Sequence, residues 1–572
     1  MNYEQLAMLA ERSGLGVLLD RAGLRANISQ IVRLALDNDE VARWDAISRD
    51  YVDSRQQFES ITRDIPPVEP EQTAWIVASM NTHWGLKLDG VMSIAARLAG
   101  YSPVGVYPVE DVWSRPYHSI FQIRRTLHLQ KFRSFGMRNG LAASSWTSTS
   151  ILELLDLQYH NVDVGRIALS NVLTRRKFEQ FDLGRPDTLD EVNIELALIR
   201  RTVDAAEAML ETNKPSMALL LEKGLSPVAE ISGVCLANGV PVVQYVGSQN
   251  QNDLVLKRYG YENRHQHPFS MDASSWQQVC AEPFTPQQEE ELMREFEEAY
   301  FKGTWFNRKF LHQDKRIKPA DEVRKQLELD PSKKTAVVFS HVLWDATFFY
   351  GKGLFENYES WLIETIKAAC SNTTVNWVIK LHPDLVWKLK YERHEGELRD
   401  LIAIRSSIGA LPPHMKMVGP DTDISSYSFF GITDYCVTVR GTIGIEMSCH
   451  GVPVITAGTG RYSGHGFTLD STSREEYLSR LANIASIQPM PSERIRLARR
   501  FAYTLFKKRL WPMRTFEIVK ERIQATGHPL DHTLVPHIRS YKEAQLAPDL
   551  NDLARWLSSG RVDYLRTSAL HV

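Results

Sequence analysis

Short runs of β-branched, aromatic and aliphatic residues alternate along this chain with longer stretches whose apolar positions recur at helical spacing. Near the amino terminus Leu18, Leu19, Leu24, Ile28, Ile31, Leu34 and Leu36 keep close to a helical period, which predicts a helical extension over 1–66. Pro66-Pro67-Val68-Glu69-Pro70 reads as a linker, because repeated prolines interrupt both helix and sheet hydrogen bonding. Beyond it the pattern predicts a strand at Ala74–Ser79, a loop over Asn81–Leu88, a helix at Gly90–Ala99 and a strand at Val104–Tyr107. After a helical and irregular stretch the rhythm returns as strand Met217–Leu221, helix Pro227–Asn238 and strand Pro241–Tyr245.

Residues 270–330 carry an acidic helix, Gln287–Tyr300, and a basic segment, and read as a connection between domains. The second half then predicts strand Thr335–Ser340, helix Tyr358–Cys370, strand Asn376–Lys380, a helical stretch over Glu392–Ile404 and strand Lys416–Val418. Pro420-Asp421-Thr422-Asp423-Ile424 precedes a further helix, which leads into strand Tyr435–Val439, helix Ile445–His450 and its stop at Gly451-Val452-Pro453. Repeated βα units favour parallel sheets with helices on both faces. The expected fold class is therefore α/β, with Rossmann-like domains over 71–269 and 331–490, joined by 270–330 and followed by helices over 491–572. No internal repeat or low-complexity tract interrupts this pattern.

At 572 residues the chain exceeds a single compact core, and a hydrophobic fraction of 43% with 24% charged residues is that of a globular protein. A formal net charge of -2 gives no footprint for nucleic acid, so no polynucleotide partner is expected. Cys235, Cys280, Cys370, Cys436 and Cys449 are scattered without C-x-x-C spacing, which favours free thiols and no structural zinc. The opening MNYEQLAMLAERSG has acidic residues and no continuous apolar core, so the expected location is the cytoplasm. Arg494–Arg509 mixes seven cations with apolar and aromatic residues at helical spacing. That segment fits either a peripheral membrane contact or a helix packed on the core with a basic outer face.

The densest chemistry lies between Tyr435 and Asp470. After the strand, Arg440-Gly441-Thr442-Ile443-Gly444 forms a glycine-spaced turn at a helix start, where free backbone N–H groups and the helix dipole favour an anion. Arg440 and the Thr442 hydroxyl add donors, Gly441 and Gly444 allow close approach, and Glu446 either binds ribose hydroxyls or complements the dipole. Upstream, the strand Asn376–Lys380 runs into Leu381-His382-Pro383-Asp384, delivering Lys380 and His382 on the same side of a strand end. A glycine-rich loop, Gly458–Gly466, offers Tyr462, Ser463 and His465 to a sugar, and Ser340-His341 with Trp344-Asp345 offer further donor contacts. Trp344 also fits a plain core position.

The pairing of KLHPD with RGTIGIE, HGVPV and GTGRYSGHGFTLD resembles the bacterial capsule polysaccharide biosynthesis family, which includes the β-Kdo transferases. The resemblance is clearest from 336 to about 480 and most specific over 462–470. It implies a two-domain GT-B fold and transfer of a sugar, such as the acidic sugar Kdo from a CMP donor, to a saccharide or lipid-linked saccharide acceptor. The candidate donor site on these residues comprises Lys380, His382, Pro383, Arg440, Gly441, Thr442, Ile443, Gly444, Glu446, Tyr462, Ser463 and His465. Sialyltransferase-like relatives pair their His-Pro with two adjacent hydroxyl residues, where this chain has Gly441-Thr442.

For the acceptor hydroxyl the candidates are Glu222 after a strand, Asp89 in THWGLKLDG and His83; helix capping accounts for Asp89 and Glu222 equally simply. Cationic side chains and amides can neutralise the phosphate, so no cofactor and no metal are expected. Asp421-Thr422-Asp423 has metal-binding spacing but follows Gly-Pro before a helix, where capping suffices. A UDP-sugar-dependent transferase, a nucleotide-sugar 2-epimerase and a polyol-phosphate transferase remain as alternatives, as does a non-catalytic scaffold.

Overall fold

The computed structural model describes residues 38–566 apart from 67–71, 80–81, 109–111, 134–145, 306–315, 346, 392–393 and 520–532, together with 28, 31–32 and 34–35. The first half holds strands β1 (Thr73–Val77), β2 (Ser102–Tyr107), β3 (Arg125–His128), β4 (Met217–Leu220), β5 (Val242–Gly247) and β6 (Asp253–Tyr259). The second holds β7 (Thr335–Phe339), β8 (Asn376–Lys380), β9 (Met415–Val418), β10 (Tyr435–Thr438), β11 (Val454–Thr456) and β12 (Leu469–Asp470). The sheets run β6-β5-β4-β1-β2-β3 and β12-β11-β10-β7-β8-β9, the Rossmann order in both halves. Pairing is parallel throughout the second sheet, while β6 joins the first sheet antiparallel. The chain is thus α/β and GT-B-like, with two Rossmann-like domains facing a cleft.

Strands β1, β2, β4, β7, β8 and β10 are buried at every residue, as expected where helices cover both sheet faces. One apolar cluster extends from Trp75 and Leu220 in the first half to Val338 and Trp377 in the second. Phe178 and Trp344 meet edge-on across the halves at 4.7 Å, which settles Trp344 as a core residue. In the second sheet β7 aligns Val337 with Cys436 of β10 on one side and with Val378 of β8 on the other. The carboxyl ends of β8, β7 and β10 therefore stand side by side, and strand order reverses between β7 and β10.

The structure alters several expected elements. The loop expected over Asn81–Leu88 is mostly helix, since His83–Leu98 forms one continuous element. Every residue from Gly85 to Ala96 is buried, so the helix lacks the apolar-polar alternation that reveals a surface helix. Of the helical stretch expected over Glu392–Ile404, only the part from Arg399 is helix, in Arg399–Ile408; a separate helix, Asp384–Tyr391, precedes the stretch, and residues 392–393 lie outside the described residues. A 3₁₀ turn, Ser426–Gly431, replaces the helix expected after Ile424. Helix Asn38–Thr62 packs into the first half's core through Ile47, Phe58 and Ile61; residues 1–27 and most of the linker at 66–70 lie outside the described residues.

The carboxy-terminal region contains strands as well as helices. Helix Ser492–Tyr503 packs on the second half, then β13 (Leu510–Pro512) joins β6 antiparallel in the first sheet. Strands β14 (Phe516–Val519) and β15 (Thr533–Pro536) pair with each other, and Pro548–Ser558 packs on His83–Leu98. The cations of 494–509 are largely committed within the chain. Arg499 pairs with Glu289, Lys507 bonds Glu295 at 2.6 Å and Lys508 bonds Glu282 at 2.5 Å, while Arg496 and Arg500 reach main-chain carbonyls. Arg509 is fully buried against Asp563 at 2.9 Å. Of the two readings of this segment, packing on the core describes these contacts.

Asp400, in the first turn of Arg399–Ile408, is fully buried, and among the described residues neither carboxyl oxygen has a hydrogen-bond partner. Burial raises its pKa to about 7. The fold therefore prefers the protonated acid, and stability falls as pH rises from about 4, the unfolded value, towards the folded value near 7. Asp400→Asn should raise unfolding free energy at pH 8 by roughly 2–4 kcal/mol, with the gain shrinking towards pH 4 in urea titrations. An equal effect at both pH values would refute this account.

Candidate active site

Three neighbouring strand ends bring the cationic groups together. Arg440 follows β10, His341 follows β7, and Lys380 with His382 closes β8. Arg440 is 7% exposed, yet among the described residues its Nε and Nη1 have no hydrogen-bond partner. Its guanidinium carbon lies 5.6 Å from the Tyr358 ring centroid, and the main chain at Gly460 passes so near that a Cβ there would stand 2.5 Å from the Arg440 Cβ. A buried cation with unmade hydrogen bonds is costly unless an anion completes it.

Arg440 lines a cavity of about 230 Å³ between the halves, together with Asp156 and Arg166 of the first half and Gly351, Tyr358 and Trp361 of the second. Arg166 donates to the carbonyls of Phe348 at 2.9 Å and Gly351 at 3.4 Å, and among the described residues its Nε has no partner. Burial lowers its pKa, and Arg440 adds to that effect. Arg461 completes a cationic trio: burial and Arg440 lower its pKa, and its Nε donates to His267 at 3.2 Å.

The histidines here are uncharged. Burial, then Lys380, takes the His382 pKa down to about 4. The Asp384 main-chain N–H donates to His382 Nδ1 at 3.2 Å, so the ring proton belongs on Nε2. His341 stacks on Tyr358 with 4.5 Å between centroids, and its Nε2 accepts the Val439 main-chain N–H at 3.2 Å. Burial, then His382 and Arg440, depresses its pKa. Lys380 is 2% exposed, with its ammonium 5.6 Å from the Phe429 ring centroid. His341, Lys380 and His382, with Pro383 beside it, stand at strand ends adjoining the cavity rather than on its wall.

Several expected donor contacts serve the turn itself. Gly444 makes room for Tyr462 rather than for an anion, since a Cβ there would stand 2.0 Å from the Tyr462 hydroxyl. That hydroxyl donates to the Gly441 carbonyl at 2.9 Å, so the buried Tyr462 pins the turn instead of facing a sugar. The Gly444 N–H is also committed, donating to Gly441 O at 3.0 Å. Ile443 packs beside the apolar cluster of Phe429 and Met447. Thr442 caps helix Ile443–Cys449 without a side-chain hydrogen bond and, like Gly441, remains partly accessible.

Glu446 is fully buried and accepts the Tyr300 hydroxyl at 2.9 Å, which turns it towards the connecting helix Pro286–Phe301 and corrects its ribose-binding role. His465 Nδ1 lies 3.0 Å from the Tyr462 carbonyl while its ring packs on Trp276 and Phe501, and Ser463 donates to Gly458 O at 3.1 Å. These contacts shape the loop. Asp423 is held by Lys318 at 2.5 Å and Gln326 at 3.1 Å, away from any metal-binding arrangement.

The acceptor candidates separate. Glu222 follows β4, at the first sheet's own reversal of strand order, with Oε1 accepting the N–H groups of Lys223 and Gly224 at 2.8 and 2.9 Å and the Tyr350 hydroxyl of the second half at 3.2 Å. Burial raises its pKa against these bonds. Lys223 instead donates to Arg264 O at 2.7 Å and lies over the Tyr259 and Tyr350 rings. Asp89 is corrected on both readings: it sits inside helix His83–Leu98, 1% exposed, accepting from Tyr245 and facing His118 at 3.4 Å. His83 is also buried, one turn from Lys87, and contributes with Lys87 to holding Asp50 below its usual range against the opposing effect of burial. Asp89 and His83 thus belong to core polar networks.

Arg166, Asp156, Tyr358 and Arg461 escaped the sequence reading. Arg461 lies inside the flagged glycine-rich loop, but only the fold turns it towards Arg440; Arg166 and Asp156 carry no local signal and reach the cleft from a distant segment.

No protein-family model matches the chain, and no curated protein matches it by sequence. Among solved structures, the KpsC β-Kdo 2,4-transferase of Thermosulfurimonas dismutans is 13% identical, with TM-score 0.32, covering 51% of this chain and 79% of that one. The UDP-GlcNAc 2-epimerase of Neisseria meningitidis bound to UDP-GlcNAc is 10% identical, with TM-score 0.26, covering 76% and 97%. The calicheamicin glycosyltransferase CalG4 is 12% identical, with TM-score 0.24, covering 76% and 95%.

Gly444→Ala should expel the Tyr462 hydroxyl from its seat and destabilise the fold by about 1–3 kcal/mol in chemical denaturation. Wild-type stability in this variant would show that the turn does not depend on the contact.

Proposed function

We propose that the chain is a GT-B-type glycosyltransferase of bacterial surface polysaccharide synthesis, transferring an acidic sugar such as Kdo from a CMP-linked donor to a saccharide or lipid-linked saccharide acceptor. The observation that carries this reading is the buried, incompletely bonded guanidinium of Arg440 at the reversal of strand order, facing the cleft between the halves. Resemblance of KLHPD and RGTIGIE to the capsule family supports the acidic sugar and CMP.

Departure of the nucleotide leaves charge on phosphate, and catalysis gains most from donors fixed before that charge develops. Arg440 supplies the positive charge, and the Nε2–H of His382 supplies a neutral donor whose ring is oriented by the Asp384 amide. Thr442, uncommitted at its hydroxyl as a cap, adds a donor at the turn. Of the acceptor candidates the reading retains Glu222, whose raised pKa suits proton exchange with a hydroxyl. These side chains neutralise phosphate without a bound cation, so the proposed mechanism is metal-independent. The proposed location is cytoplasmic, possession of a membrane-bound acceptor requiring only contact at its surface.

The test is a thermal-shift series with CMP, CDP, UDP and GDP on wild type, His382→Ala and Arg440→Met. A nucleotide at a hundredfold excess over its dissociation constant adds about 2.7 kcal/mol of stability. CMP is expected to raise the wild-type melting temperature selectively, and both variants are expected to lose that shift. Without nucleotide, Arg440→Met should melt above wild type, because it removes a buried charge that lacks its partner. Selective UDP stabilisation would favour an epimerase or UDP-sugar transferase, and no response to any nucleotide would overturn the phosphate site.

A further inference from the structure

We infer that His341 is a second phosphate-binding residue, a neutral imidazole fixed with its proton on Nδ1 and donating that hydrogen bond to the donor phosphate. The inference rests on reading the Arg440 crevice as a nucleotide-phosphate site, and extends it to a residue between the two motifs. His341 leaves β7, which lies between β8 and β10, so it stands between His382 and Arg440 where strand order reverses.

The tautomer follows from a main-chain contact. The Val439 N–H donates to His341 Nε2 at 3.2 Å, and an amide hydrogen cannot turn away as a hydroxyl hydrogen can. Thr438 Oγ1 lies 3.2 Å from the same nitrogen and can adapt as a second donor. Nε2 is thereby an acceptor, and a neutral ring must carry its proton on Nδ1. Among the described residues no hydrogen bond engages Nδ1, and the residue remains partly accessible.

The ring is held in place on its faces and edge. Tyr358 stacks at 4.5 Å with an interplanar angle of 16°, and Trp361 meets it edge-on at 5.6 Å. A Cβ at Gly441 would lie 3.6 Å from His341 Cε1, placing the imidazole against the phosphate turn. The charged and titratable groups acting on it are His382, Arg440 and Arg461, with the buried Tyr358 phenol beneath the ring. Positive neighbours and burial both oppose a second proton, so His341 works as an uncharged donor over the pH range in which a free histidine would titrate.

His382 presents the opposite tautomer, with Nδ1 accepting a main-chain N–H and Nε2 carrying the proton. The two imidazoles offer donors from adjacent strand ends without adding charge to a crevice already crowded by Arg440 and Arg461. Charge comes from arginine, while direction comes from histidine.

Two substitutions distinguish donation from packing. His341→Gln can preserve the Val439 contact through its side-chain carbonyl but lacks a donor at the Nδ1 position; His341→Asn does the reverse. In calorimetric titrations with CMP, His341→Asn is expected to remain within about threefold of wild type, and His341→Gln to lose about tenfold or more. The opposite order would assign His341 to holding the turn and overturn the inference alone. Absence of CMP binding by the wild type would overturn it together with the phosphate reading. Long-range ¹H–¹⁵N spectra of the ¹⁵N-histidine-labelled full chain supply a readout that needs no nucleotide. The His341 signal should show Nδ1–H and stay neutral through the range in which a free histidine titrates. An Nε2–H tautomer or an imidazolium at neutral pH would overturn the inference.

Discussion

A guanidinium held out of water, with two nitrogens lacking a hydrogen-bond partner among the described residues, is the constraint around which the second half is arranged. Arg440 reaches that position because β10 lies parallel beside β7 and ends where strand order reverses. Tyr358 lies against its charge, the glycine backbones at 351 and 460 crowd its head and its stem respectively, and Tyr462 fixes the following turn through the Gly441 carbonyl. Folding therefore bears the cost of a buried charge whose hydrogen bonds are incomplete among the described residues.

The first half closes over this site through the loop after β7. Arg166 grips carbonyls of that loop, the Gly351 amide donates to His265 O at 2.7 Å, and Tyr350 reaches Glu222 and Gln244. One segment thus begins with His341 beside the turn at Gly441 and continues to Tyr350 at the opposite carboxylate. This connection couples the two strand-end sites more directly than shared membership of a fold would. Continuity of the apolar cluster across the halves, with Phe178 against Trp344, supports the closed arrangement.

The carboxy-terminal region returns the chain to the first domain. Its basic helix first answers the acidic helix Pro286–Phe301 through Arg499 and Lys507, and β13 then extends the first sheet beside β6. Arg509 marks the crossing, buried where it meets Asp563 and the carbonyls of Pro268 and Ser270. Charges that look amphipathic in one dimension are thereby spent on joining distant segments.

Local sequence determined the elements whose hydrogen bonds and apolar pattern are local. Helix Tyr358–Cys370 and strand Asn376–Lys380 appear at their expected boundaries, and the parallel α/β class follows from their alternation. The motifs also placed His382 and Arg440 at strand ends, because a strand followed by a glycine turn is legible in one dimension. Tertiary structure decided which side chains face the crevice. Strand order put β7 between the two motifs and made His341 their neighbour; helix packing turned Glu446 to Tyr300 and Asp89 to Tyr245; and domain closure brought Arg166 to Arg440's cavity. Those outcomes depend on contacts between residues far apart in the chain, for which spacing along the sequence carries no signal.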